Sequence, residues 1–251
     1  MILNLKFIRE FITNNQKEQL EHNGKVSTQY DPVPYRWTHG ATEYSLGDGL
    51  LIYSIIHYMR AKVCVCLGSG GGFIPRIMTQ ARLDLYDSGI FEGKKEFNWG
   101  DIGSTFLVDA TNGVGGEVDY LEENSFFRSK FFPRFINDTT ENAYYNFFVK
   151  QDIKIDLLHI DADHTFEGVK KDFELYSQRM NKGGIITIHD TDKNYVDNFV
   201  EIDGHEGDDL SGPSEFVKTI DKRKFEVINF FNHGIRKDKP SSTGLTLVRK
   251  K

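Results

Sequence analysis

The strongest constraint on the fold lies in residues 155–192, where the sequence predicts a strand, a helix and a second strand. Residues 156–160 and 185–188 are short apolar runs. The apolar side chains between them recur at helical intervals up to Gly183-Gly184, which is predicted to end the helix. Continuous apolar runs are typical of strands that are buried on both faces of a parallel sheet. Two such strands joined by a helix form a βαβ unit, so we expect a parallel α/β sheet.

Ionisable side chains follow both of these predicted strands. Asp161, Asp163 and His164 come after the first strand, and His189 and Asp190 come at the end of the second. Ligands of open α/β sheets bind outside the carboxyl ends of the strands, which places these residues at the predicted site. Local turn bonding for Asp163 and a satisfied buried histidine for His189 are equally good explanations of those two residues.

A glycine-rich turn follows the first predicted strand of the sheet, residues 61–67. The turn consists of Gly68, Ser69, Gly70, Gly71 and Gly72. Glycines allow a ligand to approach the backbone closely, and the free N–H groups at a helix start attract its polar end. A dinucleotide fingerprint needs glycine or alanine at the position of Phe73, which counts against a nicotinamide-dependent oxidoreductase but leaves it as an alternative.

Polar side chains also follow the second and third predicted strands. Asp109 follows the second strand, where a carboxylate can accept hydrogen bonds from the two hydroxyls of a ribose. A structural role, in which Asp109 caps the next turn, explains this residue equally well. Asp138 and Thr139 follow a short strand at 135–136, and one of them is predicted to cap the next helix.

The composition is that of an ordinary globular protein. Of the 251 residues, 39% are hydrophobic and 27% are charged. The net charge of −6 does not indicate a nucleic-acid-binding protein, which would be expected to carry a basic surface. Cys64 and Cys66 lie two residues apart on one predicted strand, which favours buried thiols over a disulfide framework or a metal site. The sequence shows no signal peptide and no apolar stretch of about 20 residues. We therefore expect a cytoplasmic protein without a membrane partner.

The first 49 residues differ in character from the rest of the chain. Residues 1–22 have a helical pattern, whereas residues 25–49 are rich in turn-forming and aromatic side chains. We expect residues 1–49 to form a cap or lid over a main domain at 50–251, and to offer a surface for a homodimer. Ordinary packing of the aromatic side chains under a long loop is the alternative.

The order of the predicted elements resembles that of the class I S-adenosylmethionine-dependent methyltransferases. Five βα units precede two final strands, and the glycine turn resembles the first motif of that family. The resemblance covers residues 45–250. It implies a Rossmann-like, doubly wound, mostly parallel sheet with an antiparallel final strand. It also implies that S-adenosylmethionine contacts Gly68, Ser69, Gly70, Gly72, Asp109, Asp138 and Thr139.

The stretch IDADHTFEGVKKDFE resembles one branch of that class in particular. Macrocin-type sugar O-methyltransferases and cephalosporin-hydroxylase-like proteins share the pattern that is formed here by Asp161, His164, Gly183-Gly184 and Asp190. The resemblance implies methyl transfer to a small polar acceptor, with O-methylation of a sugar or related metabolite as the first expectation. N-methylation of a small amine, with or without a phosphate group, is the alternative.

A hydroxyl acceptor must lose a proton during methyl transfer. The ionisable residues after the two predicted strands suggest which groups remove it. Asp161 and Asp190 are predicted to bind a divalent ion, with His189 as a further ligand. Oxygen ligands favour Mg²⁺ or Mn²⁺, and the imidazole shifts the preference towards Mn²⁺. The ion lowers the pKa of the hydroxyl, so His164 as general base and Asp161 are the predicted catalytic residues.

Two positions depart from the family pattern. Cys66 occupies the acidic position of the first motif, so another group must meet the methionine ammonium, and the segment Tyr44–Asp48 is the candidate. His189-Asp190 stands where the branch often has Glu-Asp. The change at Cys66 also keeps open a protein that has the fold without turnover.

Overall fold

The structure, a computed structural model, describes His39 and residues 46–68, 72–87, 104–110, 134–193, 211–231 and 243–251. Three sets of predictions lie outside these residues: the helix at 1–22, the aromatic side chains between 25 and 45, and the turn residues Ser69 and Gly70. The division of the chain at residue 49 therefore stays a prediction.

The described residues form a seven-stranded sheet. Its strands are β1 (Val63–Leu67), β2 (Ser104–Val108), β3 (Arg134–Ile136), β4 (Ile155–Ile160), β5 (Met180–His189), β6 (Phe225–Phe230) and β7 (Leu245–Lys250). They lie in the order β3-β2-β1-β4-β5-β7-β6, and the first five run parallel. β7 runs antiparallel to both β5 and β6. The predicted fold class is confirmed.

Helices cover both faces of the sheet. They are α1 (Asp48–Met59), α2 (Phe73–Asp87), α3 (Thr140–Ala143) with a π-helical continuation (Tyr144–Val149), α4 (Phe166–Tyr176) and α5 (Gly212–Thr219). Because side chains alternate along a strand, Cys64 and Cys66 pack under α1 and α2, whereas Val65 and Leu67 pack under α3, α4 and α5. Both cysteines are buried and free, as predicted. Within the described part of the chain, no helix has the length and apolar character that a membrane crossing requires.

The end of α4 corrects one prediction. The helix ends at Tyr176, and β5 already begins at Met180, so Gly183-Gly184 does not end the helix. The glycines lie within β5, where its register against β4 shifts. Gly183 has a φ of 80°, a left-handed conformation that glycine adopts without steric cost. The pair therefore forms a bulge in a strand, and the helix stops before it.

Candidate functional site

The carboxyl ends of β4 and β5 bring the predicted ionisable residues together. Parallel pairing sets Ile160 opposite Ile188, so the residues that follow the two strands meet. His164 Nε2 lies 3.3 Å from Asp161 Oδ1 and 3.1 Å from Asp190 Oδ2. Each of these three residues offers a ligand atom within 4.8 Å of the other two. The predicted base thus lies between the two predicted carboxylates.

His189 contacts both carboxylates from the end of β5. Its Nδ1 lies 3.2 Å from Asp161 Oδ1 and 3.1 Å from Asp190 Oδ1. Its Nε2 lies 3.2 Å from the Thr243 hydroxyl and 3.8 Å from Asp48 Oδ2. The Thr243 hydroxyl also donates to Asp190. His189 therefore belongs to the same cluster, and Asp48 of the segment proposed for the methionine ammonium reaches its edge.

Two more histidines that the sequence did not single out complete the cluster. His39 Nε2 lies 3.2 Å from Asp161 Oδ2, and its ring centroid is 4.0 Å from that of His189. His159 is fully buried on β4, with Nε2 3.8 Å from Asp161 Oδ2 and Nδ1 2.9 Å from the Thr187 hydroxyl. Alternation along β4 places His159 on the same face as Asp161, which a closer reading of the strand could have found. No local pattern marks His39, which precedes Asp161 by 122 residues.

Mutual compensation of charge keeps the carboxylates of this cluster ionised. Burial alone would raise the pKa of Asp190, but His189 and His164 lower it to about 2. Burial also opposes ionisation of Asp161, yet the histidines, His189 foremost, hold the pKa of Asp161 well below its usual range. Burial disfavours charge on His164, but the carboxylates of Asp161 and Asp190 raise its pKa to about 9. His159 is the exception, because burial lowers its pKa to about 4.

The glycine turn touches this cluster directly. Gly68 follows β1 with a φ of 83°, and a Cβ at this position would overlap the carbonyl oxygen of Asp161. Glycine is therefore required here by the approach of the β4 backbone. Gly72, at the start of α2, is also left-handed with a φ of 79°. The turn predicted for the cofactor and the ionisable cluster thus share one corner of the sheet.

Asp109 and Cys66 also lie next to that turn. Asp109 follows β2, is 9% exposed, and its N–H donates to the Ile136 carbonyl at 3.1 Å. The Cys66 thiol donates to the Gly68 carbonyl at 3.1 Å. Burial and the carboxylates of Asp161 and Asp109 raise the pKa of Cys66, which keeps the thiol neutral. Cys66 therefore cannot replace the acidic residue of the family motif by charge.

Asp138 and Thr139 have local roles at the start of α3. Thr139 is the N-cap: its hydroxyl accepts from the N–H of Asn142 at 3.2 Å. Asp138 Oδ1 accepts from the N–H of Thr139 at 2.8 Å and from the Asn142 amide at 3.0 Å. The predicted cap is confirmed, whereas contact of either residue with the cofactor stays a prediction. Asp163 likewise bonds within its own turn, accepting from the N–H of Thr165 at 2.9 Å.

Comparison with known proteins adds a family to this geometry. Residues 68–191 match a family described as a methyltransferase domain. The O-methyltransferase from Bacillus cereus, solved with S-adenosylhomocysteine, has a TM-score of 0.58 at 13% identity, covering 100% of this chain and 94% of its own. TomG from Streptomyces achromogenes, an O-methyltransferase of tomaymycin synthesis solved with S-adenosylmethionine, has a TM-score of 0.55 at 12% identity, covering 81% of this chain and 79% of its own.

At such identities the solved structures show the fold alone. No curated protein matches the chain at a significant level of sequence similarity. The domain match begins at the glycine turn and ends just after β5, so it spans both halves of the site. Together with the strand order, it confirms the predicted enzyme class: residues 68–191 are a methyltransferase domain, in a sheet with the strand order of the class I S-adenosylmethionine-dependent methyltransferase fold.

Proposed function

We propose that this methyltransferase transfers the methyl group to a hydroxyl of a small polar metabolite, a sugar or a related compound, with the help of a divalent ion. The observation that carries the proposal is the convergence of Asp161, His164 and Asp190 beside the glycine turn. Methyl transfer is an in-line displacement, so donor and acceptor must be held together in one corner of the enzyme. The shared corner of Gly68 and Asp161 meets that requirement.

The residues around the turn fit the cofactor. Gly68 directly after β1 and Gly72 directly before α2 both present left-handed backbone, and Asp109 offers a carboxylate at the end of β2. These are the positions at which the family binds the nucleoside. The buried acid Asp48, at the start of α1, suits the methionine ammonium that Cys66 cannot meet by charge.

The residues between β4 and β5 fit a divalent ion and a base. Asp161 and Asp190 are ionised oxygen ligands, and His189 adds a nitrogen. A bound ion would lower the pKa of an acceptor hydroxyl. A cation bound to the carboxylates would also lower the pKa of the nearby His164. This favours the neutral form of His164, which is the form that accepts a proton. The His164 side chain is 32% exposed at this edge, so an acceptor can reach it.

An amine acceptor is the second candidate. Two ionised carboxylates at the edge of the site would attract an ammonium group as readily as they would hold a metal ion. N-methylation also needs removal of a proton, and His164 would serve there too. The product of the reaction separates the two candidates.

The test measures formation of S-adenosylhomocysteine by mass spectrometry with panels of sugars, phenols and amines. We expect turnover with a hydroxyl acceptor that EDTA abolishes and Mg²⁺ or Mn²⁺ restores. His164→Gln should reduce kcat by about 100-fold or more, because general base catalysis contributes that much. Asp163→Asn is the matched control and should retain activity, since this exposed neighbour accepts a hydrogen bond from the N–H of Thr165 in its own turn. Full turnover after chelation, or with His164→Gln, would contradict the proposal.

A further inference from the structure

We propose that His39 is a ligand of the ion at this site, together with Asp161 and His189, and that the ion is a transition metal rather than Mg²⁺. The inference deepens the proposed function, because it specifies the metal and adds a residue from the segment before α1. Neither the sequence patterns nor the match at residues 68–191 includes His39.

The distances between the three side chains are those of neighbours in one coordination shell. His39 Nε2 and His189 Nδ1 each lie 3.2 Å from an oxygen of Asp161. Metal–nitrogen and metal–oxygen bonds of about 2.1 Å place adjacent ligand atoms roughly 3 Å apart. All three residues offer ligand atoms within 4.8 Å of one another. An ion can therefore bind here without a large rearrangement.

Burial separates this group from a surface ion pair. The side chains of His39, Asp161 and His189 are only 8%, 15% and 9% exposed. His39 Nδ1 is buried without a hydrogen-bond partner among the described residues, whereas His39 Nε2 bonds the Asp161 carboxylate. The imidazole is thus oriented by the site itself.

The backbone is strained at two members of the cluster. His39 and Asp190 have φ angles of 53° and 56°, in the left-handed region that non-glycine residues rarely adopt. The other described examples are Arg60, which caps the end of α1, and Asp152, which lies in a turn. Strain of this kind costs on the order of 1–3 kcal/mol and is concentrated at functional sites. Both residues contact the cluster: His39 Nε2 lies 3.2 Å from Asp161 Oδ2, and Asp190 Oδ1 lies 3.1 Å from His189 Nδ1.

The donor set decides which ion fits. Mg²⁺ prefers oxygen ligands in octahedral geometry, whereas two imidazoles with one carboxylate suit Mn²⁺, Fe²⁺, Co²⁺ or Zn²⁺. His39 therefore changes the preference of a site whose other predicted ligands are mainly carboxylates. Because His39 lies before α1, its bond to the ion would also tie the preceding segment to the ends of β4 and β5.

The experiment measures metal binding without turnover. EDTA-treated full-length protein is titrated with Co²⁺ and Mg²⁺ by calorimetry, and the visible absorption of bound Co²⁺ reports its ligands. We expect wild type to bind Co²⁺ at least about 10-fold more tightly than Mg²⁺. His39→Gln should weaken Co²⁺ binding by about 10–100-fold and change the spectrum. His57→Gln, on α1 outside the cluster, is the control and should match wild type. His39→Asp should recover part of the affinity.

Each outcome separates the inference from the proposed function. Unchanged Co²⁺ affinity and spectrum in His39→Gln, or tighter binding of Mg²⁺ than of Co²⁺ by wild type, would overturn the inference even if turnover needs an ion. Conversely, the Co²⁺ spectrum could change in His39→Gln while the wild-type enzyme keeps full turnover after EDTA treatment. That combination would uphold the inference and refute metal-assisted catalysis. Circular dichroism and S-adenosylhomocysteine binding verify that each variant is folded. If His39→Gln is unfolded, the spectrum of Co²⁺ bound to His39→Asp tests the inference instead. A wild-type spectrum in that variant would exclude His39 as a ligand.

Discussion

At the scale of single residues, Asp161 holds the site together. Its N–H donates to the Leu67 carbonyl at 3.0 Å, which continues the pairing of β1 with β4 beyond the last paired residues. Its carbonyl fills the space that Gly68 leaves open, and its carboxylate contacts His39, His164 and other imidazoles. Because the sheet fixes the backbone on both sides, the carboxylate has little freedom. The geometry of the cluster is therefore a consequence of strand pairing.

A second buried acid, Asp172, is only partly compensated, by a hydrogen bond to Thr140 and the charge of Lys171, and predicts a pH-dependent stability. It is 2% exposed on α4, its Oδ2 has no hydrogen-bond partner among the described residues, and burial raises its pKa from 3.8 to about 6. The folded state therefore binds the proton more tightly than the unfolded chain does. The protonated form stabilises the fold below about pH 4, and that contribution is lost as the pH rises through about 6.

Replacement by asparagine removes this cost. We expect Asp172→Asn to raise the free energy of unfolding by roughly 1–3 kcal/mol at pH 8 and by much less at pH 4. Urea denaturation at the two pH values measures the difference. Glu174→Gln, an exposed acid of the same helix, should change stability by no more than about 0.5 kcal/mol at either pH. A loss of stability in Asp172→Asn at pH 8 would show that the carboxylate has a role which burial does not reveal.

The sequence predicted those site residues that directly follow strands. Asp161, His164 and Asp190 were found because apolar runs locate the strands and the carboxyl ends of parallel strands lie at one edge. His39 was missed because its position depends on the path of the chain between distant segments. No spacing rule relates a residue before the first helix to the end of the fourth strand.

At the scale of elements, the cap of α3 can be tested alone. The Thr139 hydroxyl satisfies the N–H of Asn142 at the start of a short helix that continues into the π-helical segment. Thr139→Ala should lower the free energy of unfolding by about 1 kcal/mol, the usual cost of a lost N-cap. Thr139→Ser, which keeps the hydroxyl, should restore it. Chemical denaturation measures both, and equal destabilisation by alanine and serine would assign the effect to the lost methyl group instead.

Strands were predicted more accurately than the ends of helices. β3 and β4 each differ by one residue from the strands predicted at 135–136 and 156–160. Buried strands have continuous apolar sequences, which can be recognised from a few neighbouring residues. The prediction that the glycine pair at 183–184 ends the helix was wrong, because the pair forms a bulge in β5. That bulge depends on the register of β5 against β4, which the local sequence does not show. The same glycines would have ended a helix in another context.

At the scale of the whole molecule, the strand order explains why cofactor turn and ionisable cluster meet. From β1 the chain proceeds to β2 and β3 on one side, whereas β4 leads to β5 on the other. A crevice opens at such a switch point, because the connections leave in opposite directions. Gly68 and Asp161 lie at the ends of the two strands that flank it. The site therefore occupies the position at which this topology leaves room for ligands.

Ligand binding at that crevice should stabilise the entire fold. A ligand at 100 times its Kd adds about 2.7 kcal/mol to the stability of the folded state. For a domain of this size, that corresponds to an increase in Tm of about 5–10 °C. We expect this shift with S-adenosylhomocysteine in a thermal unfolding experiment, and none with NAD at the same concentration. Gly68→Ala should abolish the shift, because the added methyl group would displace Asp161 from the shared corner. A shift with NAD alone would place a different nucleotide in the crevice, and no shift with either would indicate a fold that has lost its cofactor.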